Sequence, residues 1–205
     1  MSIKICYIDD KLDPFLVRYL ADSVCVSSLY DYKEYEVTAS LSYNDLLENT
    51  TINEADILII DSRLFEEVEY SENTLTGEEL RFIIRKVFPY KEVIVVSQNE
   101  TAEFDIEAKF KPSMGTGDFN PNKHNEDAIA FYNDTLLPKI NKCKESIEST
   151  KKLLSRISNK GYMNSMLLEQ IKDTINGDNI YAELSSEDID RLIESFKELR
   201  EDLNV

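Results

Sequence analysis

Three runs of apolar, mostly β-branched residues each end in a polar residue. Ile3-Lys4-Ile5-Cys6-Tyr7-Ile8 runs into Asp9-Asp10, Ile57-Leu58-Ile59-Ile60 into Asp61, and Val93-Ile94-Val95-Val96 into Ser97. Farther on, Phe110 is followed by Lys111-Pro112. Runs of this length without alternation predict strands buried on both faces of a parallel sheet. In such sheets ligands bind outside the carboxyl ends of the strands. The acid pair, the single acid, the hydroxyl and the lysine therefore all fall where a site belongs.

Between these strands apolar residues recur at helical spacing. Asp13-Pro14 supplies an N-cap and a first-turn proline, and Leu16, Val17, Leu20 and Val24 give the apolar stripe of a first helix. Tyr35-Glu36-Val37-Thr38-Ala39 fits a second strand, and Tyr30, Tyr32 and Tyr35 are expected to pack around it rather than to form an interaction loop at residues 27–35. Asn44–Asn49 reads as a second helix, and Glu78–Phe88, with Leu80, Ile83, Ile84 and Val87, as a third that Pro89 stops. Residues 113–127, with Gly115, Gly117, Pro121 and several Asn, read as a loop or hinge. Gly115-Thr116-Gly117 lacks the lysine and the strand–helix context of a phosphate-binding loop, and the lone His124 is given no role.

From residue 128 to the end the chain is expected to be helical. Leu136, Ile140, Cys143, Ile147, Thr150, Leu154 and Ile157 recur at alternating spacings of four and three, a short heptad seam that Gly161 ends and near whose start Pro138 should kink the helix or mark its first turn. Met163, Leu167, Ile171 and Ile175 form a second stripe. A third helix, capped by Ser185 or Ser186, carries Ile189, Leu192, Phe196, Leu199 and Leu203. Such helices can close into a hairpin or small bundle, or leave one seam open for a partner or a second copy.

Composition narrows the function. The 205 residues suffice for one domain of about 110 residues and an appendage, with 42% hydrophobic residues for a core. No apolar stretch approaches the roughly 20 residues that span a bilayer, and the N-terminus enters a strand with no secretory leader pattern. Cys6, Cys25 and Cys143 show neither disulfide nor zinc spacing. A cytoplasmic protein without membrane association is expected. The net charge of −17 repels phosphate backbones, and residues 142–205 hold ten Lys or Arg against thirteen Asp or Glu. No DNA partner is expected.

The strand-end residues suggest a chemistry of their own. Converging carboxylates repel by several kcal/mol at about 4 Å and intermediate dielectric, and a hard divalent cation relieves that repulsion. Mg2+ suits such a place, since it binds through one or two carboxylates and keeps waters or phosphate oxygens as its other ligands. Asp61 could then attack a phosphoryl group to give an acyl phosphate, with Ser97 and Lys111 on the transferred oxygens.

In this order the residues resemble the receiver domain of two-component response regulators. The resemblance covers roughly residues 1–112 and rests on Asp9-Asp10, Asp61-Ser62-Arg63-Leu64, Thr76-Gly77-Glu78-Glu79-Leu80, Val93–Ser97 and Lys111-Pro112. It implies a five-stranded parallel sheet of receiver (flavodoxin-like) type, followed here by a C-terminal helical hairpin or bundle at residues 128–205. It implies Asp61 as phosphoacceptor, Mg2+ held by Asp9, Asp10, Asp61 and the backbone carbonyl of Arg63, and Ser97 and Lys111 in contact with the phosphoryl group. Lys109 is the site lysine instead if the fifth strand is shifted; the proline after Lys111 favours Lys111.

Several features depart from the receiver pattern. An acidic stretch, Phe65–Leu75, lengthens the path from Asp61 to Gly77. Ser97 to Lys111 is short for a full fourth helix, and Ala108 stands where receivers usually carry an aromatic. The expected function is a phosphorylation-controlled signalling protein, modified by a histidine kinase or kinase-like ATPase, whose C-terminal helices contact a protein effector or pair two copies. Its only reaction would be self-phosphotransfer followed by slow hydrolysis. The alternative is a pseudo-receiver adaptor that never carries phosphate. A haloacid-dehalogenase-type phosphatase is disfavoured, because neither Asp9, Asp10 nor Asp61 is followed at the second position by an acid.

Overall fold

The apolar runs become the centre of a parallel sheet. A computed structural model of the chain describes residues 2–38, 43–64, 76–98, 105–112, 121–160, 168–169 and 171–172. Its strands are β1 (Ile3–Asp9), β2 (Tyr30–Glu36), β3 (Ile57–Asp61), β4 (Glu92–Ser97) and β5 (Ile106–Ala108), in the order β2-β1-β3-β4-β5 and all parallel. That order is the flavodoxin-like one, with its switch point between β1 and β3.

Helices cover both faces. The first apolar cluster sets Cys6, Ile8, Leu58 and Ile60 against Leu46 and Leu47 of α2 (Tyr43–Glu48), Ile52 of α3 (Thr50–Glu54) and Leu80, Ile83, Ile84 and Val87 of α4 (Gly77–Val87). The second sets Ile5, Tyr7, Ile57, Ile59, Ile94 and Val96 against Leu16 and Tyr19 of α1 (Pro14–Tyr19). It also takes in Ala128 and Tyr132 of α5 (Pro121–Asp134) and Leu136, Ile140 and Ile147 of α6 (Leu136–Lys160). Alternate residues of β1 thus point to opposite faces, as the pleat requires.

Local signals account for the helix ends. The Asp13 side chain accepts from the amides of Phe15 and Leu16, with Pro14 in the first turn, and α1 runs on through a π-helical turn, Leu20–Val24. Asn49 caps α3. Thr76 and Glu79 form a reciprocal capping box at the start of α4.

Three expectations change. β2 occupies Tyr30–Glu36 rather than residues 35–39: as an edge strand paired only to β1 it is half-buried, so it has no continuous apolar run. Residues 121–127 are helical, so the expected hinge of 113–127 is cut back to 113–120, which lie outside the described residues. The helices after residue 120 are no separate appendage up to Ile147, because they complete the core on one face of the sheet.

Pro138 lies in the first turn of α6, where it costs no hydrogen bond. Leu136, Ile140 and Ile147 bury the first half of the seam on the sheet, whereas Leu153 is 57% and Ile157 36% exposed. Residues 65–75, the short link at 99–104, Gly161 and the two later stripes lie outside the described residues, except that 168–169 and 171–172 are helical.

Candidate functional site

Parallel pairing brings the strand ends to one edge. Ile8 is paired with Ile60, Asp61 with Val96, and Ser97 with Ala108. Asp9, Asp61, Ser97 and the residue after Ala108 consequently converge, and that residue is Lys109. Asp9, Asp61, Ser97 and Lys109 are all buried.

The Lys109 ammonium bridges the two acids, with Nζ 2.6 Å from Asp9 Oδ2 and 2.5 Å from Asp61 Oδ1. The other Asp61 oxygen accepts from the Arg63 amide at 2.7 Å, and Asp9 Oδ1 accepts from the Lys11 amide at 3.1 Å. The hydroxyl of Tyr7, two residues before Asp9 on the same face of β1, donates to Asp9 Oδ2. The Lys109 backbone amide donates to the Ser97 carbonyl at 2.7 Å, which extends the β4–β5 ladder to the lysine.

Burial sets the electrostatics. It pushes the Asp61 carboxyl up, against the downward pull of Lys109, and the nearby Asp9 charge adds to the rise. Burial alone would lower Lys109, but Asp61 and Asp9 more than reverse it, so the ammonium is held above its ordinary value. Burial and the Asp9 charge push the Tyr7 hydroxyl far up, so it is a fixed donor.

The structure corrects one site residue. Lys111 is exposed and Lys109 is the lysine of the cluster. The reason lies in Phe110, whose ring meets those of Phe15 and Phe131 at 5.4 and 5.9 Å and whose amide donates to the Tyr132 hydroxyl at 3.1 Å. Anchoring Phe110 in the second cluster turns Lys109 towards the acids and leaves Lys111 outside. Asp10 lies half-buried beside Asp9, and Arg63 is exposed.

The backbone beneath Asp61 is held by α4. The Gly77 amide donates to the Ser62 carbonyl at 2.9 Å, and a Cβ at Gly77 would lie 2.2 Å from the Asp61 carbonyl oxygen. Only glycine lets the helix start so close. Ser62 Oγ donates to Glu78 Oε1 at 2.6 Å, a second tie between the β3 end and the first turn of α4.

The donor set fits Mg2+ in kind. Two buried carboxylates against one ammonium leave an excess negative charge, with Asp10 alongside. Among the described residues no three His, Cys, Asp or Glu side chains form a ready metal cage. Mg2+ does not need one, because one or two carboxylates with water or phosphate oxygens are its usual protein sites.

Sequence reasoning missed Tyr7. Its signal is a tyrosine inside a fully buried run, two residues before the acid: a buried hydroxyl normally seeks a partner, and period-two geometry puts Asp9 within reach.

No protein-family model matches the chain, and no curated protein matches it. Among solved structures it is similar to the isolated REC domain of RcsB from Salmonella enterica serovar Typhimurium with phosphomimetic BeF3-. The two are 19% identical, with 49% of this chain and 65% of that domain covered, just under two thirds of its length, at a TM-score of 0.35. It is similar to RcsB of Salmonella typhimurium at 12% identity, covering 95% of this chain and 98% of the other at a TM-score of 0.41. RcsB bound to promoter rprA matches at 17% identity over 63% of this chain and 99% of that one, with a TM-score of 0.37. At such identities the likeness concerns the fold alone.

The comparisons correct the expectation of no DNA partner. RcsB is seen bound to promoter rprA and to promoter P1flhDC. Net charge is an average over the whole surface and local patches decide contacts, so it is no ground for excluding DNA here. As for membranes, no helix among the described residues is long and apolar enough to cross one. By its sheet order, and by the acids and lysine gathered at its strand ends, the chain has the flavodoxin-like fold of a response-regulator receiver, in atypical form and with C-terminal helices packed on the sheet.

Proposed function

We propose that the chain is a phosphorylation-controlled signalling protein that accepts a phosphoryl group on Asp61 with the help of Mg2+. The observation that supports this most is the meeting of Asp61, Asp9 and Lys109 at the carboxyl ends of β3, β1 and β5. An Asp61 oxygen would attack phosphorus while the bond from phosphorus to the donor atom breaks, and the donor leaves with that electron pair; from acetyl phosphate that atom is oxygen and the leaving group is acetate. Lys109 would pass from the carboxylates to the transferred oxygens, joined by Ser97. Asp9, Asp10, Asp61 and the Arg63 carbonyl are the groups that would hold Mg2+, whose charge offsets that of the phosphoryl oxygens. The signal would pass by contacts of the helical C-terminal part with a protein partner. Slow hydrolysis of the acyl phosphate would reset the protein.

One observation favours the pseudo-receiver adaptor instead. Lys109 already neutralises much of the acid charge, and Ile106, Glu107 and Ala108 lead into it with no aromatic among them. Incubation with Mg2+ and acetyl phosphate, read by intact mass, separates the two. The receiver reading expects a gain of one phosphate that is absent in Asp61→Asn and lost on chelation, with both proteins folded by circular dichroism. Full labelling of Asp61→Asn would sink Asp61 as the acceptor. A folded wild type that gains no mass would favour the adaptor.

A further inference from the structure

Tyr7 is fully buried in the apolar cluster between the sheet and α1, α5 and α6, yet its hydroxyl meets an acid of the site. The two other fully buried tyrosines of that cluster satisfy their hydroxyls on neutral groups. Tyr19 donates to the Asn133 side chain at 2.9 Å, and Tyr132 accepts the Phe110 amide at 3.1 Å. Phenylalanine would fill the apolar surroundings of Tyr7 equally well, so packing does not explain its hydroxyl. The same residue also faces the lysine, whose Nζ lies 5.7 Å from the centre of the Tyr7 ring.

Among the described residues three donors hold Asp9: the Tyr7 hydroxyl and Lys109 Nζ on Oδ2, and the Lys11 amide on Oδ1. If Lys109 moves to the oxygens of an incoming phosphoryl group, Oδ2 keeps Tyr7 as its remaining donor. We propose that Tyr7 is a positioning residue, whose hydroxyl fixes the Asp9 carboxylate in its orientation for a divalent cation when Lys109 is drawn away. Hydrogen-bonded partners of metal-binding carboxylates commonly set affinity in this way, and their loss costs about 10–100-fold. The inference rests on the reading of Asp9 as a Mg2+ ligand.

The test uses the full chain with Mg2+ alone, followed by calorimetry, and then the Mg2+ dependence of labelling by acetyl phosphate. Tyr7→Phe is expected to weaken Mg2+ binding about tenfold. The half-saturating Mg2+ for labelling should rise by the same factor, and the rate at saturating Mg2+ should be retained. Tyr19→Phe, which removes a hydroxyl bonded to Asn133 instead of to an acid of the site, is expected to leave both unchanged. Thermal melting verifies the fold of each variant. Should Tyr7→Phe fail to melt cooperatively, Tyr7→Met carries the same expectation. Unchanged affinity in a folded Tyr7 variant, beside a wild type that binds Mg2+, overturns the role of Tyr7 and leaves the receiver reading standing. A wild type that binds no Mg2+ and takes no label overturns that reading and this inference with it.

Discussion

Lys109 carries the electrostatic balance of the site, because its ammonium is the side-chain cation shared by the buried Asp9 and Asp61. Removing one partner of a buried ion pair leaves an uncompensated charge, and such losses run to about 3–5 kcal/mol. Lys109→Met is therefore expected to lower the denaturation midpoint by an amount of that order, partly restored by millimolar Mg2+, and to abolish labelling. Lys111→Met, at an exposed position, is expected to change stability by less than about 0.5 kcal/mol and to label normally. Urea titrations of the two variants, with and without Mg2+, decide the matter; equal losses would mean that Lys109 is not the lysine of the cluster. The acids were legible in the sequence because each ends an apolar run, and parallel pairing then has to bring them together. The lysine was not, since β5 is only Ile106–Ala108 and Lys111-Pro112 offers a more familiar pattern two residues on. What decides between them is the packing of Phe110 against Phe15 and Phe131.

Among the elements, α4 is the one that governs the Asp61 backbone. Its first residue, Gly77, lies so close that a Cβ would sit 2.2 Å from the Asp61 carbonyl oxygen, and a backbone atom in a central strand cannot yield as a flexible side chain can. Gly77→Ala is expected to cost about 1–3 kcal/mol, as overpacking does. It should also slow labelling, because the helix can relieve the clash only by displacing the segment that carries Asp61. A denaturation midpoint and an initial labelling rate measure both, and an unchanged midpoint would show that α4 is not seated as described. The start of this helix was readable from Thr76 and Glu79, which form the capping box, and its buried stripe from the spacing of Leu80, Ile83, Ile84 and Val87. β2 was misplaced for the opposite reason. At the sheet edge, Tyr30, Tyr32 and Tyr35 are its partly buried positions among exposed charges, so it carries neither a continuous apolar run nor a clean alternation.

On the scale of the whole molecule, the question is where the folding unit ends. The site residues all lie before residue 113, yet the face of the sheet that holds Ile5, Tyr7, Ile57, Ile59, Ile94 and Val96 is covered partly by Ala128, Tyr132, Leu136, Ile140 and Ile147. Polar ties join the same parts: Lys139 pairs with Asp105 at 2.5 Å and Glu107 at 3.0 Å, and Lys151 with Asp56 at 3.0 Å. Burying the four larger of those helix side chains contributes on the order of 10 kcal/mol, at about 1.5–3 kcal/mol each. That is comparable to the whole stability of a typical domain, about 5–15 kcal/mol. A chain ending at Pro112 is therefore expected to keep every acid and lysine of the site and still fail to fold, giving no cooperative thermal transition by circular dichroism and no labelling. The full chain should give both. A cooperative melt of the shortened chain would instead make the helices an independent appendage. If it fails as expected, α5 and the first half of α6 belong to the same core as the sheet, and the large apolar side chains that α6 leaves exposed, Leu153 and Ile157, lie beyond Ile147.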